Sequence, residues 1–367
     1  MIKISLNKNK LGTAAKILLV AFIFLLAAWA RFQHFEDEGN DIYAYEKSVE
    51  DLLLGVNPYI WTIESFSNPK DPSNHGYAYL PLLLYINVLV SIVSHLTGLT
   101  FAFLSKFPIL FADIGVGLIL AKIFYRKNFP ALIAALLFWF WNPYFFMKGN
   151  FVYTDPLPTF LSLLALYFLE KDDVLSGTFL ALAIAAKPYS IIFLPLFLLK
   201  ANKPLKLFAA SAMIGFALSI PFLSSWTDFS TYLQGALFVH GDRYVQGRPF
   251  LFFISWYGKI ELIRIIPIKY FAYASILSAW LFGMLASKYY KIKDKYSVAV
   301  GCLLLFYIFT PVLNKTYLLW LMPLYLISVY GMVGRKMFIY YSSLAVYWIF
   351  YYVYLFHWKE GFHVWHP

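Results

Sequence analysis

The run Val174–Leu199, VLSGTFLALAIAAKPYSIIFLPLFLL, is apolar almost throughout and is broken at its middle by Lys187-Pro188. Its flanks, Glu170-Lys-Asp-Asp173 and Lys200 to Lys206, both have the look of cytoplasmic connections. A single helix crossing a bilayer would put those flanks on opposite sides. Two short helices meeting near Lys187 put them on the same side. Proline removes a backbone donor and disfavours helix at the preceding residue, so the break belongs at Lys187. A lysine buried there requires an anionic partner.

Working outward, the rest of the chain has the same character. Its 367 residues would suggest two soluble domains, but 61% are hydrophobic, 13% are charged and the mean hydropathy is +0.66. That composition describes a polytopic membrane protein. The net charge of +11 resides in short loops between apolar runs. It therefore sets orientation, and with no soluble basic domain nucleic acid is not an expected partner. Cys302, alone and inside an apolar run, provides neither a disulfide nor a cysteine-based metal site.

Lys3, Lys8, Lys10 and Lys16 precede the run Ile17–Ala30. Ala28-Trp29-Ala30 imitates a signal-peptide cleavage site; the competing reading is an uncleaved first span with a cytoplasmic N-terminus. The second places residues 31–79 outside, where Glu36, Asp37, Glu38, Asp41, Glu46, Glu50, Asp51, Glu64 and Asp71 face only Arg31, Lys47 and Lys70. Within this stretch Ile42, Tyr45, Val49, Leu52 and Leu53 recur at helical spacing and Gly55 follows as a stop, so a short helix lying on the membrane surface is expected.

The basic loop Lys122, Arg126 and Lys127 belongs inside, which leaves room for one crossing, Phe103–Ala121. Leu80–Leu96 is accordingly a juxtamembrane or re-entrant segment. Further spans are expected at Pro130–Met147, Pro156–Leu169, Leu205–Leu223, Tyr270–Ala286, on both sides of the outer turn Asn314–Tyr317, and at Phe338–Phe356. The expected fold is one all-α polytopic domain over residues 1–367, with about 11 transmembrane helices plus the juxtamembrane segment. Large external loops, 32–100 and 224–269, follow the first and seventh spans. No internal repeat is evident.

Charged groups within spans are costly, on the order of 3 kcal/mol each, which singles out Lys106, Asp113 and Lys187. Lys106 and Asp113, seven residues apart, share a helix face and could share a polar network. Asp113 also fits a purely structural hydrogen bond between helices. Asp41 and Asp155 each stand where a helix begins, so capping competes with catalysis for both. His240, Asp242, Arg243 and Arg248 fit a solvated loop as well as a site. No nucleotide-binding loop, zinc-type histidine pair or Ser-His-Asp arrangement is evident. An enzyme with outward acids and no nucleotide site needs a donor that arrives through the membrane.

The order of elements resembles the GT-C glycosyltransferases, and more closely the family of the catalytic subunit of GPI mannosyltransferase I. The matching pieces are Asp41 with Gly55-Val-Asn-Pro58-Tyr59, Lys106 with Asp113, Asn142-Pro143 with Lys148-Gly149-Asn150 and Asp155, Lys187-Pro188-Tyr189 with Leu194-Pro195, Asp242 with Pro249, and Asn314-Lys315 with Tyr317-Leu-Leu-Trp320. The family's first-loop signature resembles Asp-x-Asp-Tyr, whereas Gly39-Asn40-Asp41-Ile42-Tyr43 keeps only the second acid and displaces the tyrosine. The interval from Asn150 to Asp155 is also longer.

The resemblance implies inverting transfer of a sugar, by family preference mannose, from a polyprenyl (dolichyl) phosphate to a lipid-linked or glycan acceptor at the outer or lumenal face. Asp41 would be the catalytic base. Lys187, Arg243, Arg248 and Lys148 would meet the donor phosphate, and Asp155, His240, Asp242, Lys106, Asp113 and Tyr43 would bind substrate or support the site. No cofactor follows from the residues, and dependence on a divalent metal stays open. The implied partners are donor, acceptor and bilayer, with a small membrane subunit as a possible addition. The implied location is a cell membrane in a prokaryote or the endoplasmic reticulum membrane in a eukaryote. Two alternatives stand beside this: a lipid or solute transporter whose path is lined by Lys106, Asp113 and Lys187, and a noncatalytic subunit of a glycosylation complex.

Overall fold

The computed structural model describes residues 8–36, 40–67, 76–148, 154–241, 246–247, 249–250, 266–334 and 336–359. The chain is a helical membrane protein. Among the described residues, six helices are long and apolar enough to cross a bilayer: Gly12–Phe32, Phe101–Phe124, Phe129–Met147, Pro204–Phe222, Ile268–Tyr289 and Met337–Phe356. Six shorter apolar helices accompany them, including Leu82–Thr97 and Pro188–Lys200.

In order, the α-helices are α1 (Lys8–Phe32), α2 (Asn40–Leu53), α3 (Tyr59–Ser67), α4 (Leu82–Thr97), α5 (Phe101–Phe124), α6 (Phe129–Phe140), α7 (Pro143–Lys148) and α8 (Pro156–Phe168). They continue with α9 (Asp173–Ala186), α10 (Leu194–Lys200), α11 (Pro204–Ser219), α12 (Trp226–Ala236), α13 (Ile268–Met284), α14 (Lys295–Phe309), α15 (Tyr317–Val333) and α16 (Met337–Lys359). A two-residue parallel ladder joins β1 (Gln246–Gly247) to β2 (Val312–Leu313).

Burial separates inner from outer helices. Almost every residue of α15 from Tyr317 to Val329 is buried, as are most of α8 and much of α9. By contrast α1, α11, α13 and α16 present bare leucines, phenylalanines and methionines such as Leu18, Phe208, Met213, Leu277 and Phe338. Helices that are apolar all round yet expose their large side chains belong to a hydrocarbon solvent.

The break at Lys187 is as expected. Lys187 is extended (φ −158°, ψ 123°) between α9 and a 3-10 turn, Pro188–Phe193, that leads into α10. The two arms form a hairpin, because the end of α10 comes back to the start of α9. The backbone N–H groups of Asn202 and Lys203 donate to the Asp173 carboxylate at 3.1 and 2.7 Å. Gly177 lets α11 close on α9: a Cβ there would fall 2.3 Å from the Leu207 carbonyl oxygen.

The connections sort to two ends. At one, Lys200 donates to the Ile292 carbonyl (2.7 Å), Lys295 to the Leu169 carbonyl, and the Asn128 amide to Met337 Sδ (3.2 Å). This end gathers the lysine-rich loops. At the other, Asn57 donates to the Asp228 carbonyl (3.2 Å), Thr62 to the Tyr77 carbonyl (2.8 Å) and Tyr351 to the Lys315 carbonyl (2.8 Å). That end carries the acidic α2.

The α2 helix forms where its periodicity places it, and Gly55 ends it with φ +76°. Tyr45 and Val49 are buried against α4, but Leu53 is 58% exposed. One residue beyond Leu52 rotates the side chain about 100° away from the packed face. A second correction concerns Arg31. It is not part of an outer loop; it lies in the last turn of α1 and is fully buried.

Candidate functional site around Lys187

Lys187 stands at the hairpin's turn, deep in the protein and 8% exposed. Because the backbone there is extended and Pro188 starts the following turn, the side chain projects out of the helical pattern toward α8 and α15. Its Nζ lies 2.7 Å from Asp155 Oδ1. The same oxygen accepts the indole N–H of Trp320 at 2.6 Å. Asp155 is 1% exposed, and its Oδ2 has no hydrogen-bond partner among the described residues. Asp155 directly precedes α8, yet its side chain does not cap the helix. Its carboxylate is turned to Lys187 instead.

Aromatic rings surround the pair. Trp320 is stacked between Tyr189, at 3.6 Å and 3°, and Tyr317, at 3.9 Å and 24°. The Lys187 ammonium sits 5.4 Å from the Tyr79 ring centre, 5.6 Å from that of Tyr317 and 5.3 Å from that of Trp320. Ring faces attract a cation by about 0.5–2 kcal/mol each according to how dry the site is. An ammonium has three protons to donate. One is directed at Asp155, and the rings surround the others without removing them.

From Tyr79 the site extends toward α2. His240 stacks beside Tyr79 (6.4 Å, 29°) and its Nε2–H donates to the Ala78 carbonyl at 2.7 Å. Tyr77 bridges Tyr79 (5.9 Å) and Tyr45 (6.1 Å) edge to face. Burial pushes the Tyr45 phenol well above its ordinary pKa and the nearby Asp41 charge adds to that, so Tyr45 stays neutral and able to donate. Helix α2, with Asp41 in its first turn, thus reaches the Lys187 cluster through the rings of Tyr45, Tyr77 and Tyr79.

The structure therefore brings Asp155 and Lys187 together, sets His240 beside them on the Tyr79 ring, and packs α2 against the same aromatic cluster through Tyr45 and Tyr77, with Asp41 one turn before Tyr45. It leaves Tyr43 on the surface, 65% exposed. Asp113 is elsewhere, and its partner is Arg31, whose Nε donates to Asp113 Oδ2 while Nη2 donates to the Phe140 carbonyl at 2.9 Å. Lys106 is buried two turns away on α5. Asp113 thus forms a structural bridge between helices, from α1 to α5, as the second of its two readings has it, because α1 delivers a guanidinium to its depth. Lys148 ends α7; its side chain, with Asp242, Arg243 and Arg248, lies outside the described residues.

The resemblance includes Tyr189, Tyr317 and Trp320 without giving any of them a role, and Tyr79 is not singled out. A signal existed for two of them: Tyr317 and Trp320 are three apart at the start of a helix that follows an outer turn, and so share a face. Among the described residues no three His, Cys, Asp or Glu side chains cluster as a metal site would require. No protein-family model matches the chain. No curated protein matches it either.

Proposed function

We propose that this chain is a membrane glycosyltransferase that takes its sugar, by preference mannose, from a polyprenyl-phosphate donor and transfers it with inversion at the acidic end of the bundle. The observation that supports the reading is a buried, aromatic-caged Lys187–Asp155 pair joined through Tyr79, Tyr77 and Tyr45 to the helix that bears Asp41. A cation at that depth is positioned for a phosphate whose lipid tail stays in the bilayer.

In an inverting displacement the acceptor hydroxyl attacks the anomeric carbon. Asp41 takes the hydroxyl proton as the new C–O bond forms, and the electron pair of the breaking bond leaves on the phosphate. That leaving group gains negative charge, so fixed cations stabilise the transition state. Lys187 supplies one through its remaining N–H donors. Asp155 and the rings keep it charged and aimed before the donor arrives. Arg243, Arg248 and Lys148 are further candidates for the phosphate, and His240 with Tyr79 offers a stacked face for the sugar.

Transport along Lys106, Asp113 and Lys187 is less well supported. Asp113 and Arg31 neutralise each other with no exposed surface, which does not suit a substrate path. The test is direct: membranes containing the chain are given a radiolabelled polyprenyl-phosphate mannose and a glycolipid acceptor. Label appearing in the acceptor supports the reading. Label crossing sealed vesicles unchanged, with no product, overturns it.

A further inference from the structure

We propose a second binding site, for a phosphate-bearing anion, at the lysine-bearing end of the bundle, remote from Lys187 and independent of the glycosyltransferase reading. A half-open cavity of about 480 Å³ lies there between the C-terminal ends of α5, α8 and α15 and the N-terminal end of α14. That size is within the range of small-ligand sites, roughly 300–1,000 Å³. Four lysines line it, Lys122, Lys127, Lys171 and Lys295, with Asp294 as the one acid among the lining residues.

Asp294 is committed elsewhere. Its Oδ1 accepts the Tyr296 N–H (3.3 Å) and its Oδ2 the Ser297 N–H (3.0 Å), capping α14. Glu170, outside the lining, offsets one more charge by pairing with Lys295 at 3.4 Å. Two lysine charges remain in excess of the acids. Lys171 is packed on the Tyr167 ring, with Nζ 3.3 Å from its centre. The floor is open because it is glycine: a Cβ at Gly334 would meet nothing within 4 Å, and one at Gly331 only Asp294 Oδ2 at 3.9 Å.

An open, cationic, half-enclosed space at the ends of apolar helices has the size and charge to take a phosphate ester. Two sources share that chemistry, an anionic lipid headgroup and a soluble phosphate compound. The experiment separates them. The purified full chain is presented with phosphatidylglycerol or phosphatidylcholine in native mass spectrometry, and with pyrophosphate in a thermal-unfolding assay.

Two variants are compared with the wild type. The triple substitution Lys122→Gln, Lys127→Gln, Lys171→Gln removes charge, and Gly331→Phe fills the space with every charge kept. The expected result is selective retention of phosphatidylglycerol, or stabilisation by pyrophosphate, weakened at least tenfold by either variant. Selective retention assigns a lipid headgroup; stabilisation by pyrophosphate assigns a soluble ligand. Should the triple variant fail to fold, the Gly331→Phe result decides. Equal retention of both lipids with no pyrophosphate effect, or wild-type binding by Gly331→Phe, overturns the proposal.

Discussion

Lys187 Nζ and Asp155 Oδ1 meet at 2.7 Å, tying the turn of the α9–α10 hairpin to the start of α8 across 32 residues of sequence. Neither charge is stable alone at that depth. Removing one partner of a buried pair leaves an uncompensated ion, whereas removing both leaves only a packing problem. Lys187→Met and Asp155→Leu are each expected to lower unfolding stability by about 3–5 kcal/mol. The double variant Lys187→Met, Asp155→Leu should recover most of the loss. Thermal unfolding in detergent reads this. If the two single losses simply add in the double variant, the pair is not coupled.

The same double variant separates stability from function. A folded chain lacking Lys187 should bind a polyprenyl phosphate at least tenfold more weakly, since a charged hydrogen bond of about 1.5–3 kcal/mol is lost. Undiminished binding in that variant would remove Lys187 from the donor site.

Trp320 offers a finer probe. Its indole N–H donates to Asp155 Oδ1 at 2.6 Å while its ring stacks on Tyr189 and Tyr317. Trp320→Phe keeps an aromatic ring and deletes the donor, with an expected loss of about 1.5–3 kcal/mol because the acceptor is charged. Trp320→Leu removes the stacking as well and should lose more. Unfolding midpoints for the pair and the wild type rank the two contributions: a Trp320→Phe midpoint equal to the wild type would mean that the indole N–H contributes nothing, and equal midpoints for the two variants that the stacking contributes nothing.

Gly177 tests the helix contact that positions the hairpin. A methyl group there would meet the Leu207 carbonyl oxygen at 2.3 Å, and that atom belongs to a backbone that cannot rotate away. Gly177→Ala should therefore destabilise by about 1–3 kcal/mol despite the better helix propensity of alanine. Substituting the open Gly215, which has nothing within 4 Å, is the control and should be neutral or mildly stabilising. A Gly177→Ala variant as stable as the control would show that α11 can move away from α9.

Why the hairpin is legible in sequence and the Arg31–Asp113 bridge is not follows from the range of each cause. Lys187-Pro188 inside an apolar run has a local consequence, a broken helix, and similar flanks force a return. Arg31 at the end of a span looks the same whether it reaches for water or turns inward. Only α5, which brings Asp113 to that depth, decides between the two, and no local pattern records which helices are neighbours. The aromatic cage is hidden for a similar reason. With 29 tyrosines and 11 tryptophans in the chain, an interfacial belt and a site draw on one vocabulary. The periodicity of α2 predicts its buried face through Leu52 and fails at Leu53, where the helix runs past its packing.

Asp41 is the residue on which the catalytic reading stands or falls. It lies in the first turn of α2, so its carboxylate favours the helix through the exposed N–H groups there, and Asn preserves much of that hydrogen bonding. Asp41→Asn should accordingly leave the unfolding midpoint nearly unchanged, within about 0.5 kcal/mol, while deleting the proton acceptor. Sugar transfer should fall by about 10²–10⁴, the usual contribution of a positioned general base. Tyr45→Phe is the contrast. It removes the hydroxyl of a buried residue beside Asp41 and should change stability by at most about 1 kcal/mol, with a smaller effect on rate. Rates and unfolding midpoints measured on both variants distinguish a base from a cap, since a cap alone would tie any loss of activity to a loss of stability, and wild-type transfer by Asp41→Asn would move the base to another carboxylate.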